Sequence, residues 1–136
     1  MAYIIFATTW MQQALGKSAV HLRDHGHVVD VVTRRDELLR LMDVEQPDVL
    51  VLGGLLYNSQ SLDLLTELPA RYIGIKTQLI WITMSDNGTG YPVIFWDWGG
   101  ISSFLIPPCS EWQIIVAIEQ LIYRTVLVPP WELHPE

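Results

Sequence analysis

The stretch PDVLVLGG, residues 47–54, constrains the fold more than any other part of the chain. From Val49 to Leu52 every residue is apolar, so a strand here cannot alternate a wet face with a dry one. It must be covered on both sides. A parallel strand in the middle of a sheet, with helices laid over both faces, meets that demand.

The flanking segments supply the other layers. Tyr3 to Ala7 is a short apolar run, followed by Met11, Ala14, Leu15, Ala19 and Leu22 at helical spacing and by Gly26 as a helix stop. His27 to Thr33 is rich in valine but interrupted by Asp30, which predicts a strand near the sheet edge. Thr33 opens T-R-R-D, a capping-box-like start in which its hydroxyl can accept the Asp36 amide, ahead of a helix with Leu38, Leu41 and Met42 inward. Leu62, Leu65 and Leu68 mark a third helix closed by Pro69. Leu79 to Thr83 and Phe104 to Ile106 read as the fourth and fifth strands, and SDNGTG, residues 85–90, as a loop. Ser110 and Gln113 can cap each other at the start of a last helix whose apolar stripe is Ile114, Ile118, Leu121 and Ile122.

Strand alternates with helix throughout, and right-handed crossovers leave few topologies. The expectation is a flavodoxin-like, doubly wound α/β fold with a five-stranded parallel sheet in the order 2-1-3-4-5. Residues 91–100, YPVIFWDWGG, lack helical periodicity, so the fourth helix is expected to be short or replaced by extended chain. One domain is predicted over residues 1–124, followed by a Pro/Trp tail over 125–136 that leaves the last helix in extended form.

Composition narrows the function. With 15 acidic against 8 basic residues the formal net charge is −7, and no Lys/Arg-rich block offers phosphates a basic face. Direct nucleic-acid binding is therefore not expected. One cysteine, Cys109, cannot form an internal disulfide or a cysteine metal cluster, which fits a reducing cytoplasm. No apolar run reaches the roughly 20 residues of a membrane span, and MAYIIFATTW reads as a first strand and not as a signal peptide. Only 17% of residues are charged, which is low for a free-standing domain and suggests apolar surface covered by a partner or a second copy.

At this point the chain resembles the receiver domains of two-component signalling, over about residues 3 to 124. In that family the third strand reads Pro-Asp, four apolar residues and a phosphate-accepting Asp; here the same register runs from Pro47 and arrives at Gly53. The switch Thr or Ser that ends the family's fourth strand corresponds to Thr83, and the Lys-Pro that ends the fifth corresponds to Pro107-Pro108. The family's acidic pair after the first strand is replaced by Ala7, Thr8 and Thr9. Holding Mg²⁺ against a phosphoryl group takes carboxylate oxygens, and pairing with an acyl phosphate takes the lysine. The resemblance thus implies a pseudo-receiver whose degenerate phosphorylation-site positions are Thr8, Thr9, Gly53, Thr83 and Pro107, with no metal, no cofactor and no catalysis of its own.

Such a protein would act by binding. Tyr91, Phe95, Trp96, Trp98, Phe104 and Trp112 fall where receivers bind partners and dimerise, between the fourth strand and the last helix, and Trp131 could dock on the same surface or on another subunit. The expected partner is a signalling kinase, regulator or output protein, with a homodimer through this face as a further possibility. An alternative is a small-molecule sensor whose ligand occupies the vacated pocket near Thr8, Gly53, Thr83 and Pro107. A flavodoxin-like enzyme would need convergent polar groups at those strand ends, where little beyond threonine is found. Gly53 and Gly54 themselves suit either unusual backbone angles and close packing or a ligand cradle. His21 and His25, four apart, suit either a shared metal or a solvated helix end. Cys109 reads as a small packing residue.

Overall fold

The structure is a computed structural model that describes residues 1–53, 55–56, 59–60, 64, 67–68, 70–72, 77–82, 101–105 and 107–126. Five strands form one parallel sheet: β1 (Tyr3–Ala7), β2 (Val28–Val32), β3 (Val49–Gly53), β6 (Gln78–Ile82) and β7 (Ile101–Leu105), in the order β2-β1-β3-β6-β7. A separate two-stranded antiparallel ribbon joins β4 (Leu55–Leu56) to β5 (Ser59–Gln60). The helices are α1 (Gln12–Asp24), α2 (Arg35–Val44) and α3 (Glu111–Val126), and Leu64, Glu67, Leu68, Ala70 and Arg71 are also helical. The expected order 2-1-3-4-5 is the observed one, with β6 and β7 as the fourth and fifth strands of the sheet.

The apolar strands are divided between two cores by the two-residue period of the pleat. Ile5, Ala7, Leu50, Leu52, Leu79 and Trp81 face one layer with Leu38, Leu39 and Met42 of α2 and with Leu64, Leu68 and Tyr72. Ile4, Phe6, Val49, Val51, Ile80 and Ile82 face the other, under Leu15, Ala19 and Leu22 of α1 and Ile114, Ile118, Leu121 and Ile122 of α3. Every residue of β3 is buried, as the unbroken run Val49–Leu52 requires. Each large side chain so buried contributes about 1.5–3 kcal/mol.

Local signals hold at several ends. Helix α1 stops at Gly26, which takes φ 90°, while the His27 amide reaches back to the Leu22 carbonyl at 3.1 Å, closing the helix in a Schellman arrangement. At the start of α3 the Ser110 amide donates to Gln113 Oε1 at 2.8 Å and the Gln113 amide donates to Ser110 Oγ at 3.2 Å, the reciprocal cap expected from the sequence.

Other expectations are corrected. The cap of α2 is Arg34 and not Thr33; its backbone is extended and makes no side-chain cap bond, and its guanidinium pairs with Asp36 instead. Leu39 is fully inward on α2 where Leu41 is only partly buried, because this helix packs through the sheet-facing arc centred on Leu38 and Met42. The last strand begins three residues before Phe104, at Ile101, since backbone pairing to β6 continues across Ser103 opposite Ile80 with an irregularity between Leu79 and Ile80. Two serines concealed that strand from a hydrophobicity reading. The ribbon β4–β5 was not expected at all. Leu62, Leu65, the loop 85–90, the region of the fourth helix and the tail beyond Val126 lie outside the described residues.

Candidate functional site

The carboxyl ends of the parallel strands are where an open α/β sheet places its site. Because β1 pairs with β3, Thr8 and Gly53 stand side by side at this edge, and Pro107 lies two strands beyond Gly53, across β6 and just past the end of β7. Thr83 lies outside the described residues. Among the described positions of this set, Thr8, Thr9, Gly53 and Pro107, no carboxylate and no ammonium is present.

Thr8 and Gly53 are each occupied by a structural task. Thr8 is fully buried; its amide donates to the Val32 carbonyl at 3.3 Å, prolonging the β1–β2 pairing. Its hydroxyl accepts the Trp10 amide at 3.0 Å and its carbonyl accepts Gln12 Nε2 at 2.7 Å, so Thr8 turns the chain from β1 into α1. Thr9 is half-buried. Met11, the cap of α1, takes a left-handed φ of 54°, uncommon for a residue with a side chain, and nothing in the local sequence signals it. Pro107 is half-buried and joined to Pro108 by a cis peptide bond.

Gly53 carries the most informative geometry. A Cβ built there would lie 2.5 Å from the Ile82 Cβ and 2.7 Å from the Ile82 carbonyl oxygen, distances that real Cβ atoms do not tolerate. Its φ is not in the left-handed region, so close approach of β6 and not an unusual backbone angle is the reason for glycine here. The volume that a side chain would have filled is therefore taken up by Ile82. Nearby, Trp81 is 5% exposed and its Nε1 has no hydrogen-bond partner among the described residues.

The second region is the outer face of α3. Trp112 is 60% exposed, Val116 47% and Tyr123 49%, although the helix buries five other apolar side chains on its opposite side. At about 100° per residue these three fall within about 40° of one another around the helix. They form one apolar stripe turned to solvent. Trp112 was expected at a recognition face; Val116 and Tyr123 were not, although their offsets of four and eleven residues from Trp112 are the signal that finds them. Phe104 lies on β7, opposite Trp81. Tyr91, Phe95, Trp96, Trp98 and Trp131 are outside the described residues.

Trp112 also meets α1. Its ring stands edge-on to His21 at 5.4 Å, and His21 stacks on His25 at 4.3 Å with the planes 24° apart. His25 Nδ1 donates to the His21 carbonyl at 2.9 Å. Stacked rings do not converge their nitrogens on a common point, so this arrangement is that of a helix end and not of two metal ligands. No group of three or more metal-ligating side chains occurs among the described residues. Cys109 is partly buried against the α1–α3 core, consistent with packing. No helix among the described residues is long and apolar enough to cross a membrane.

No protein-family model matches the sequence, and a search of curated proteins finds no match. Solved structures do match. A two-component response regulator from Clostridium difficile superposes with a TM-score of 0.72 at 12% identity, covering 93% of this chain and 99% of that one. The signal receiver domain of a signal transduction histidine kinase from Syntrophus aciditrophicus gives 0.71 at 16% identity, with 96% of each chain covered. NtrX from Brucella abortus gives 0.68 at 18% identity over 91% of this chain, which spans only 27% of the length of NtrX. Strand order, helices on both faces and these superpositions agree: the chain has the fold of a CheY-like response-regulator receiver domain.

Proposed function

We propose that this chain is a non-catalytic receiver-type module of two-component signalling that acts without accepting a phosphoryl group, by binding another protein. The observation that carries the reading is the Trp112–Val116–Tyr123 stripe, because tryptophan and tyrosine held out of the core at one helix face are the chemistry of an interface anchor. The rest of the surface would come from Phe104 and from Tyr91, Phe95, Trp96 and Trp98, with a kinase, regulator or output protein as the occupant. Phosphorylation independence is supported by the lack of a carboxylate at Thr8, Thr9 and Gly53 and of a lysine at Pro107, since neither Mg²⁺ nor an acyl phosphate has its usual ligands there.

The small-molecule reading loses ground at Gly53, where Ile82 occupies the space a vacated pocket would need. Incubation with Mg²⁺ and a small phosphodonor is expected to leave the mass of the protein unchanged; one stoichiometric phosphate would refute the phosphorylation-independent reading. Affinity capture from native lysate with the wild-type chain and with Trp112→Ala tests the surface. Loss of one partner with the variant supports it, and retention of every partner by a folded variant overturns it.

A further inference from the structure

Strand β2 forms one border of the sheet, with β1 on its inner side and no strand beyond it among the described residues. The Val28 amide donates to the Ala2 carbonyl at 2.9 Å and the Thr8 amide to the Val32 carbonyl at 3.3 Å, so the backbone groups of Val28 and Val32, and of Asp30 between them, belong to the β1 ladder. In a parallel pair the intervening residues turn theirs the other way. The amides and carbonyls of Val29 and Val31 therefore point outward, the row of groups by which a sheet edge accepts another strand. The side chains do little to spoil it. Val28 is 47% and Val31 40% exposed, one on each face, and VVDVV contains no proline and no lysine. One group stands in the way. Arg23, in the last turn of α1, sends both Nε and Nη2 to the Val29 carbonyl, at 3.2 and 2.7 Å. It makes no ion pair among the described residues, although Asp24 is its neighbour in sequence; these hydrogen bonds go to a carbonyl that the β1 ladder does not use. A charged donor holding that oxygen from two atoms removes an acceptor an incoming strand needs and sets a positive charge in its path.

We propose that Arg23 guards the edge of β2, and that the strand it keeps out is β2 of a second copy. The second copy is the occupant because it presents the same valine-rich strand with the same outward row of donors and acceptors, and two such rows satisfy each other in an antiparallel, two-fold pair. A register centred on Val29 or on Val31 keeps the two Asp30 carboxylates from standing opposite each other, so no like charges oppose the pairing. With the Val29 carbonyl released, two five-stranded sheets join edge to edge. The stripe on α3 takes no part in this contact, and the inference stands apart from the recognition surface.

Sedimentation velocity over a range of protein concentrations tests this on the full chain. Arg23→Met keeps an aliphatic stem and removes the donors; its sedimenting mass is expected to double relative to the parent as concentration rises, while its circular dichroism stays that of the parent. Adding Val31→Lys, at an exposed position of the same edge, should return the sedimentation to that of the parent, because a lysine on an edge strand opposes pairing. In associated Arg23→Met the Val31 amide, outward in the parent, should exchange its hydrogen more slowly at high than at low concentration, and the Asp30 amide, already in the β1 ladder, should not change. Arg23→Lys keeps the charge at the helix end without the two-pronged cover; it is expected to associate likewise and decides the matter if Arg23→Met does not fold. Sedimentation unchanged from the parent in the folded variant overturns the guard. Association that persists with Val31→Lys assigns the contact to another surface and overturns the β2 pairing.

Discussion

The strand ends and the outer face of α3 use their residues in opposite ways. At Thr8 and Gly53 every group is consumed by the fold: a hydroxyl caps a turn, a carbonyl holds a glutamine, and a missing side chain lets two strands close. On α3 the helix is already secured by Ile114, Ile115, Ile118, Leu121 and Ile122, and yet Trp112, Val116 and Tyr123 remain outside. A residue whose removal would unbalance packing tells little about function, whereas a large apolar residue that packing does not need points to what lies beyond the chain. The recognition surface is therefore sought on α3, although the strand ends are the site this architecture offers by default.

The contrast is broken most sharply on α3 itself. Ile118→Ala, at a side chain with no exposure, is expected to cost about 2–5 kcal/mol, while Val116→Ala, two residues away on the other face, should stay within about 0.5 kcal/mol. Urea unfolding followed by circular dichroism measures both, and equal costs would place Val116 in the core. At the strand ends Gly53→Ala is expected to cost about 1–3 kcal/mol by overpacking against Ile82, and Gly53→Asp more, because the carboxyl would be added to the same crowding. A Gly53→Asp protein as stable as the parent would mean that the cleft is open after all. Ser110→Ala removes the reciprocal cap of α3 and should cost about 1 kcal/mol without altering partner capture, since the stripe lies elsewhere on the helix.

The smallest effect is a pH dependence remote from both regions. Burial first, and then the positive N-terminus, hold His27 below the ordinary imidazole pKa of 6.5, and its neutral Nδ1 accepts the Ala2 amide at 3.0 Å. The folded chain thus binds this proton less readily than the unfolded one. The contribution is fully present above about pH 6.5 and is lost as the pH falls from there through the lowered folded-state value. Urea midpoints measured at descending pH should fall less steeply for His27→Gln than for the parent, and parallel slopes would remove His27 from the account.

Much of this molecule was legible in residue order. The unbroken run Val49–Leu52 located the central strand, the valines around Asp30 located an edge strand, and Ser110 with Gln113 marked a helix start, because burial on two faces, burial on one face and capping each leave a local pattern. The ribbon at Leu55–Gln60 was not legible, since two-residue strands have no period to detect. Ile101–Leu105 was half hidden because Ser102 and Ser103 satisfy a strand's backbone pairing without satisfying its hydrophobic pattern. Of the candidate surface, Trp112 was named from its place in the family resemblance, whereas Val116 and Tyr123 carry only the weaker signal of their helical offset from Trp112, which exposure in the structure brings out.

The sequence by itself determined the layers of this fold and the chemistry it lacks, because periodicity and residue type are local properties. It established that no carboxylate stands at Gly53 and no lysine at Pro107. Only the tertiary structure decided what became of those positions: β6 approaches β3 closely enough that Ile82 takes the place of a side chain at Gly53. It also decided which apolar residues of α3 face outward, because exposure depends on where the neighbouring elements lie and not on the residue itself.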